Sequence, residues 1–168
     1  MRELKVFFDY ECPYCKKGHE YLLKLLKTNP DISVKWCPCE AHPRPENHPQ
    51  HTDLCIQGYY YVKDTGGDVM AYHQRMYDAL HTDKIDVEDS IALSKYAAGL
   101  VDEKKFLSAL QDGTYKEIQE KGNDYAYGEN GVWFLPAFRM GEGKLDAQGG
   151  IGVSEEELRE FLSDAAVR

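Results

Sequence analysis

Leu4-Lys5-Val6-Phe7-Phe8-Asp9-Tyr10-Glu11-Cys12-Pro13-Tyr14-Cys15 is the stretch that decides how this chain folds. The apolar run over 4–8 reads as a strand buried in the middle of a sheet. An amphipathic helix is expected over 16–27, with Tyr21, Leu22, Leu25 and Leu26 in one stripe and Lys17, Lys24 and Lys27 outside it. Between the two lies C-x-x-C. Pro13 has no N–H and a fixed φ, which suits the first helical position. Cys12 then becomes the N-cap, where unpaired N–H groups and the helix dipole favour a thiolate. Such a setting lowers a cysteine pKa from about 8.5 to roughly 3.5–7.5. Cys15 lies one turn on, placed to displace a mixed disulfide formed at Cys12. This assigns Cys12 as nucleophile and Cys15 as resolving thiol. A C-x-x-C also serves as half of a zinc site, but zinc takes four ligands and no second C-x-x-C is present.

Outward from this stretch, Asp9 and Glu11 are either turn polarity or carboxylates that tune or relay protons to Cys15. Asn29-Pro30-Asp31 ends the helix, and 32–36 reads as a second strand with Ile32, Val34 and Trp36 on one face. A proline-rich loop over 38–49 follows, beside Cys37, Cys39, His42, His48, His51 and Cys55. These are metal-ligand residue types, yet their spacing matches no zinc pattern, so no metal site is assigned. A strained Cys37–Cys39 disulfide is a further option.

Residues 52–127 read as helical throughout. Thr52 or Asp53 caps a first helix and Asp68 a second, with Met70, Met76, Tyr77 and Leu80 as inner candidates. His73 and His81 are expected on exposed faces. A helix over 86–100 carries Val87, Ile91 and Tyr96, and one over 102–110 turns Phe106, Leu107 and Leu110 inward. Another runs from Thr114 toward Tyr127. Strand character returns over 132–140, interrupted by Pro136, which a strand interior does not normally hold. A turn at Gly141–Gly143, a short strand over 145–148 and a capping box of Ser154 and Glu157 complete the chain, with Leu158, Phe161 and Leu162 inward.

At 168 residues the chain suits a single domain. The net charge of −9 argues against nucleic acid or an anionic membrane as partner. Five cysteines, an odd count, exclude complete intramolecular pairing. Met1-Arg2-Glu3-Leu4 enters the first strand with no hydrophobic leader, so a cytoplasmic location is expected, where thiols are kept reduced.

Strand, Cys12-Pro13-Tyr14-Cys15, helix, strand, helical stretch, then Leu135-Pro136, hairpin and last helix: this order resembles the DsbA-like thioredoxin-fold family over the full length. Within it the chain looks most like the cytoplasmic FrnE-type branch, related to 2-hydroxychromene-2-carboxylate isomerases and kappa-class glutathione transferases. The resemblance implies an α/β thioredoxin fold with an all-helical insertion between the second strand and the cis-proline strand. It implies one DsbA-like domain over 1–168, with thioredoxin-fold parts at about 1–50 and 130–168 and the insertion at about 51–129. Pro136 would be a cis-proline against the active-site pair. Leu135 would offer backbone groups to an extended substrate, with Pro13 and Tyr14 beside it. The implied activity is protein-disulfide oxidoreduction on protein or small-molecule thiols and disulfides. It needs no cofactor beyond the Cys12–Cys15 couple, with glutathione as an optional co-substrate. The related isomerases and transferases carry serine where Cys12 stands. A glutathione-dependent transferase or isomerase on the same fold is the alternative.

Overall fold

Strand β1 (Arg2–Phe8) forms where the apolar run predicts it and lies inside the sheet. The computed structural model describes residues 1–164. Leu4 and Phe7 are fully buried, and Val6 and Phe8 nearly so. Helix α1 (Pro13–Leu26) returns the chain so that β2 (Ile32–Pro38) can pair with β1 in parallel, from Arg2↔Ile32 to Phe8↔Pro38. Strand β3 (Ala137–Met140) runs antiparallel on the other side of β1, and β4 (Gly143–Asp146) closes the sheet in the order β2-β1-β3-β4. Helix α7 (Glu155–Ser163) packs on α1. Its first turn carries the expected reciprocal cap: Ser154 Oγ accepts from Glu157 N–H, and the Glu157 carboxylate accepts from Ser154 N–H at 3.1 Å. At Gly18 the helix comes so close to the sheet unit that a Cβ would lie 3.1 Å from Pro136 Cγ.

The described structure divides into two compact units, one of residues 1–38 with 124–164 and one of 39–123. The first is a four-stranded thioredoxin-type sheet with its helices. The second is helical: α2 (Asp53–Asp64), α3 (Val69–His81), α4 (Ser90–Ala97), α5 (Glu103–Asp112) and α6 (Lys116–Asn123). The mixed α/β class and the helical insertion after the second strand are as the sequence reads. Tyr72, Met76, Leu93 and Phe106 form the fully buried centre of the second unit. A buried polar chain joins α2 to α6: Gln57 Nε2 donates to Gln119 Oε1 at 3.1 Å, and Gln119 Nε2 donates to the Glu40 carboxylate.

Several inner faces differ from expectation. Asp68 accepts from Ala71 N–H and so fixes the first turn of α3. That phase turns Tyr72, His73, Met76 and Tyr77 inward and leaves Met70, two residues from Tyr72, 37% exposed. His73 is accordingly buried, stacked on Tyr59 with centroids 5.5 Å apart, and not on an exposed face. Asp89 caps α4 by accepting from Ile91 and Ala92 N–H, which starts that helix at Ser90 and puts Ile91 in solvent. The third strand begins at Ala137, not at 132. Trp133 N–H is taken by the Asp146 carboxylate instead of a ladder partner, Pro136 has no N–H, and Trp133 is 80% exposed. Strand β4 correspondingly runs over Gly143–Asp146, two residues earlier than the pattern suggests.

One buried group makes the first unit sensitive to acid. His19 on α1 is 6% exposed and lies against Trp36 with centroids 5.5 Å apart. Burial pushes its imidazole down from 6.5 to about 4, against an opposing pull from Glu20. The folded state therefore keeps His19 neutral where the unfolded chain protonates it. The stability from this group is fully present above pH 6.5 and is lost as pH falls toward 4. Between pH 7 and 4.5 the loss is on the order of 2 kcal/mol. Urea unfolding of the parent and of His19→Gln at both pH values is expected to show a correspondingly smaller drop in the variant. Equal drops would refute this account.

Candidate active site

The site is built by α1 and the loop before β3, both in the first unit. Cys12 is the N-cap of α1, with extended backbone (φ −76°, ψ 118°) and Pro13 at the first helical position. Its sulfur accepts from Cys15 N–H at 3.3 Å. As a thiol it faces the Leu135 carbonyl at 3.8 Å. The Leu135–Pro136 peptide is cis. Cys12 is part-exposed whereas Cys15 is 1% exposed.

The two sulfurs are driven apart in acidity. The Cys15 thiol donates to the Cys12 sulfur, and this is the largest influence lowering the Cys12 pKa below the ordinary 9.0. Burial opposes it, and backbone N–H groups of Cys15 and Tyr14 add to the lowering. Cys15 goes well above the ordinary value, first by burial, then because its proton is shared with Cys12 and a charge on Cys12 disfavours a second. Asp9, 1% exposed, adds a negative field that raises both. Its carboxylate also accepts from Glu11 N–H at 3.3 Å, so it serves the turn as well as the field. The arrangement can ionise one accessible sulfur while holding the other as a protonated neighbour.

The remaining expected site residues fall around this pair. Pro13 and Tyr14 border a pocket of about 430 Å³, shared with Lys17, Tyr21, Ile151 and Glu157. The Tyr14 ring lies against Gly152, where a Cβ would stand 2.9 Å from it. Ile151 is 71% exposed at the rim.

A family model for the DSBA-like thioredoxin domain matches residues 3–150. The chain belongs to that family. Among its relatives is the uncharacterized protein YwbO of Bacillus subtilis strain 168, 25% identical over 92% of this chain and 94% of YwbO. A "probable DsbA oxidoreductase" of Streptomyces coelicolor has a similar structure, with a TM-score of 0.81, 14% identity and coverage of 97% of this chain and 89% of that one. Oxidised BdbD of Bacillus subtilis follows at a TM-score of 0.74, 15% identity and coverage of 96% and 85%. At these identities the two structures establish the DsbA-like fold.

The histidines and cysteines over 37–55 of this DsbA-like chain make contacts among themselves and with their neighbours. His42 and His48 stack with centroids 3.9 Å apart. His42 Nδ1 meets Glu46 at 2.7 Å, and His51 Nδ1 meets the His42 carbonyl at 3.0 Å. Cys37 donates to the Lys35 carbonyl of its own strand at 3.5 Å, and it is a buried thiol, as is Cys39. Of the two carboxylates flagged in the sequence, Asp9 is the one whose burial lets it act on both sulfurs, whereas a contact between Arg139 and Asp146 behind the Leu135 loop has no signal in the sequence. That contact exists only once β3 and β4 pair.

Proposed function

We propose that the chain is a thiol–disulfide oxidoreductase with Cys12 as nucleophile and Cys15 as resolving thiol. The observation that carries this is the pairing of a part-exposed, acidified Cys12 at the start of α1 with a buried, protonated Cys15 one turn on. In the reducing direction the Cys12 thiolate attacks one sulfur of a substrate disulfide. A Cys12–substrate disulfide forms and the other substrate sulfur leaves as a thiolate. Cys15 then gives up its proton and attacks Cys12. The substrate's second thiol leaves, and the pair is left oxidised. The oxidising direction is the same sequence reversed. The two sulfurs carry both electrons, so no other cofactor is required. Substrate backbone is aligned at Leu135, next to the attacking sulfur.

The family match supports this reading, as does the presence of both sulfurs, since a conjugating enzyme needs only one. The test is Cys15→Ser. With the resolving thiol gone, reaction with a disulfide-linked peptide is expected to stop at the mixed disulfide. Intact mass should then show one peptide per chain, released by reductant. A variant that turns over to free peptide thiols, with no adduct, would overturn the assignment of Cys15.

A further inference from the structure

Strand β3 carries a buried cation whose bonds tie the loop before it to its own hairpin. Arg139 is 6% exposed. From Nε it donates to the Asn130 carbonyl at 3.1 Å, and from Nη2 to the Gly131 carbonyl at 3.5 Å. From Nη1 it donates to the Phe138 carbonyl at 3.0 Å and to one oxygen of Asp146. The other Asp146 oxygen accepts from Trp133 N–H at 2.9 Å. Ala147 N–H donates to the Pro136 carbonyl at 3.0 Å.

Burying a guanidinium is costly unless its donors are satisfied. The hairpin register does not need this one: the cross-strand partner of Arg139 is Lys144, and that of Asp146 is Ala137. The bonds instead fasten backbone at 130, 131 and 133 to β3 and β4, while Ala147 fastens 136. Leu135 lies between the last two anchors, and its carbonyl faces the Cys12 sulfur. The clasp therefore sets where the substrate-aligning backbone stands relative to the nucleophile.

We propose that Arg139 and Asp146 are positioning residues for exchange with polypeptide disulfides, acting through the 130–136 loop. This rests on the oxidoreductase reading above. A polypeptide must align its backbone with Leu135 as well as bring its sulfur to Cys12. A small aromatic disulfide needs only the sulfur, and the groups named for the acidity of Cys12 are Cys15, Tyr14 and Asp9, none of them in the clasp. Loosening the loop should therefore slow polypeptides selectively, because small misplacements of aligned groups are costly.

The experiment uses the reduced full chain in single turnover, with a disulfide-linked peptide and with 5,5′-dithiobis(2-nitrobenzoate). It also follows the pH profile of Cys12 alkylation by iodoacetamide. For Asp146→Ala, peptide exchange at low peptide concentration is expected to fall about tenfold. The loss should lie mainly in the concentration needed for half-maximal rate. The aromatic disulfide should react within about twofold of the parent, and the alkylation profile should not move. Asp146→Asn, which keeps an oxygen for Trp133 N–H while ending the charge-assisted contact to Arg139, should fall between. If Asp146→Ala does not fold, Asp146→Asn decides. A folded variant with an unchanged peptide rate, or with equal losses for both disulfides, overturns the proposal. A parent chain that exchanges with neither disulfide defeats the oxidoreductase reading instead.

Discussion

Replacing Cys12 by serine is expected to lower disulfide exchange by roughly a thousandfold or more, because the reaction forms and breaks a bond at that sulfur. A serine hydroxyl does not ionise near neutral pH and cannot form the mixed disulfide. Cys15 cannot take over: it is 1% exposed, and burial holds its proton in place. The loss should come without unfolding, since serine is among the favoured N-cap residues and its oxygen can accept the Cys15 N–H that Cys12 now accepts. Thermal melting of Cys12→Ser is therefore expected at or above the parent value, alongside a flat exchange trace. The parent should keep reacting with iodoacetamide at pH values where an ordinary thiol, near 9.0, has fallen silent. A serine variant that still reduces a peptide disulfide would end the mechanism. A parent alkylation profile like that of free cysteine would remove its electrostatic basis.

What the sequence discloses and what it hides divide by the range of the interaction. The start of α1, the caps at Asp68 and Asp102 and the reciprocal cap of α7 are each decided within four residues, so residue types reveal them. The same locality makes Cys12 and Cys15 legible as a pair. The inward faces of α3 and α4 are harder. In α4 the cap sits at Asp89, later than the expected start at 86, and each residue of such a change rotates a helix face by about 100°, whereas α3 starts where expected and its face is settled by packing against the rest of its unit. Met70 is expected inward and His73 outward, and each lies on the opposite side. The 132–136 segment misled for another reason. Val132, Trp133, Phe134 and Leu135 have strand-like side chains, but strand membership depends on where N–H groups find acceptors. Here the Trp133 N–H finds a carboxylate on β4. The Arg139–Asp146 contact was invisible because it exists only once β3 and β4 are in register. The positions of Leu135 and Pro136 came from family resemblance, not from pattern, and the geometry puts the Leu135 carbonyl opposite Cys12.

The largest stability effect expected outside the site is at Gly58, in the middle of α2. A methyl there would overlap the Tyr72 hydroxyl oxygen and stand 2.7 Å from Phe106 Cζ. Tyr72 and Phe106 are both fully buried. The hydroxyl is also committed, donating to the Cys55 carbonyl at 2.6 Å, and cannot swing aside without losing that bond inside a region closed to water. Alanine in place of a mid-helix glycine would by itself gain about 1 kcal/mol of helix propensity. Overpacking costs about 1–3 kcal/mol, and losing a buried hydrogen bond a further 1–3 kcal/mol or so. The packing side wins, and Gly58→Ala is expected to destabilise the helical unit by about 3 kcal/mol, read from the urea midpoint. Tyr72→Phe takes away the hydroxyl that the methyl strikes. Adding it to Gly58→Ala should therefore cost less than the sum of the two single changes, by about 1 kcal/mol or more. A Gly58→Ala chain as stable as the parent would mean that α2 has room to shift. Strict additivity with Tyr72→Phe would place the clash on Phe106 alone.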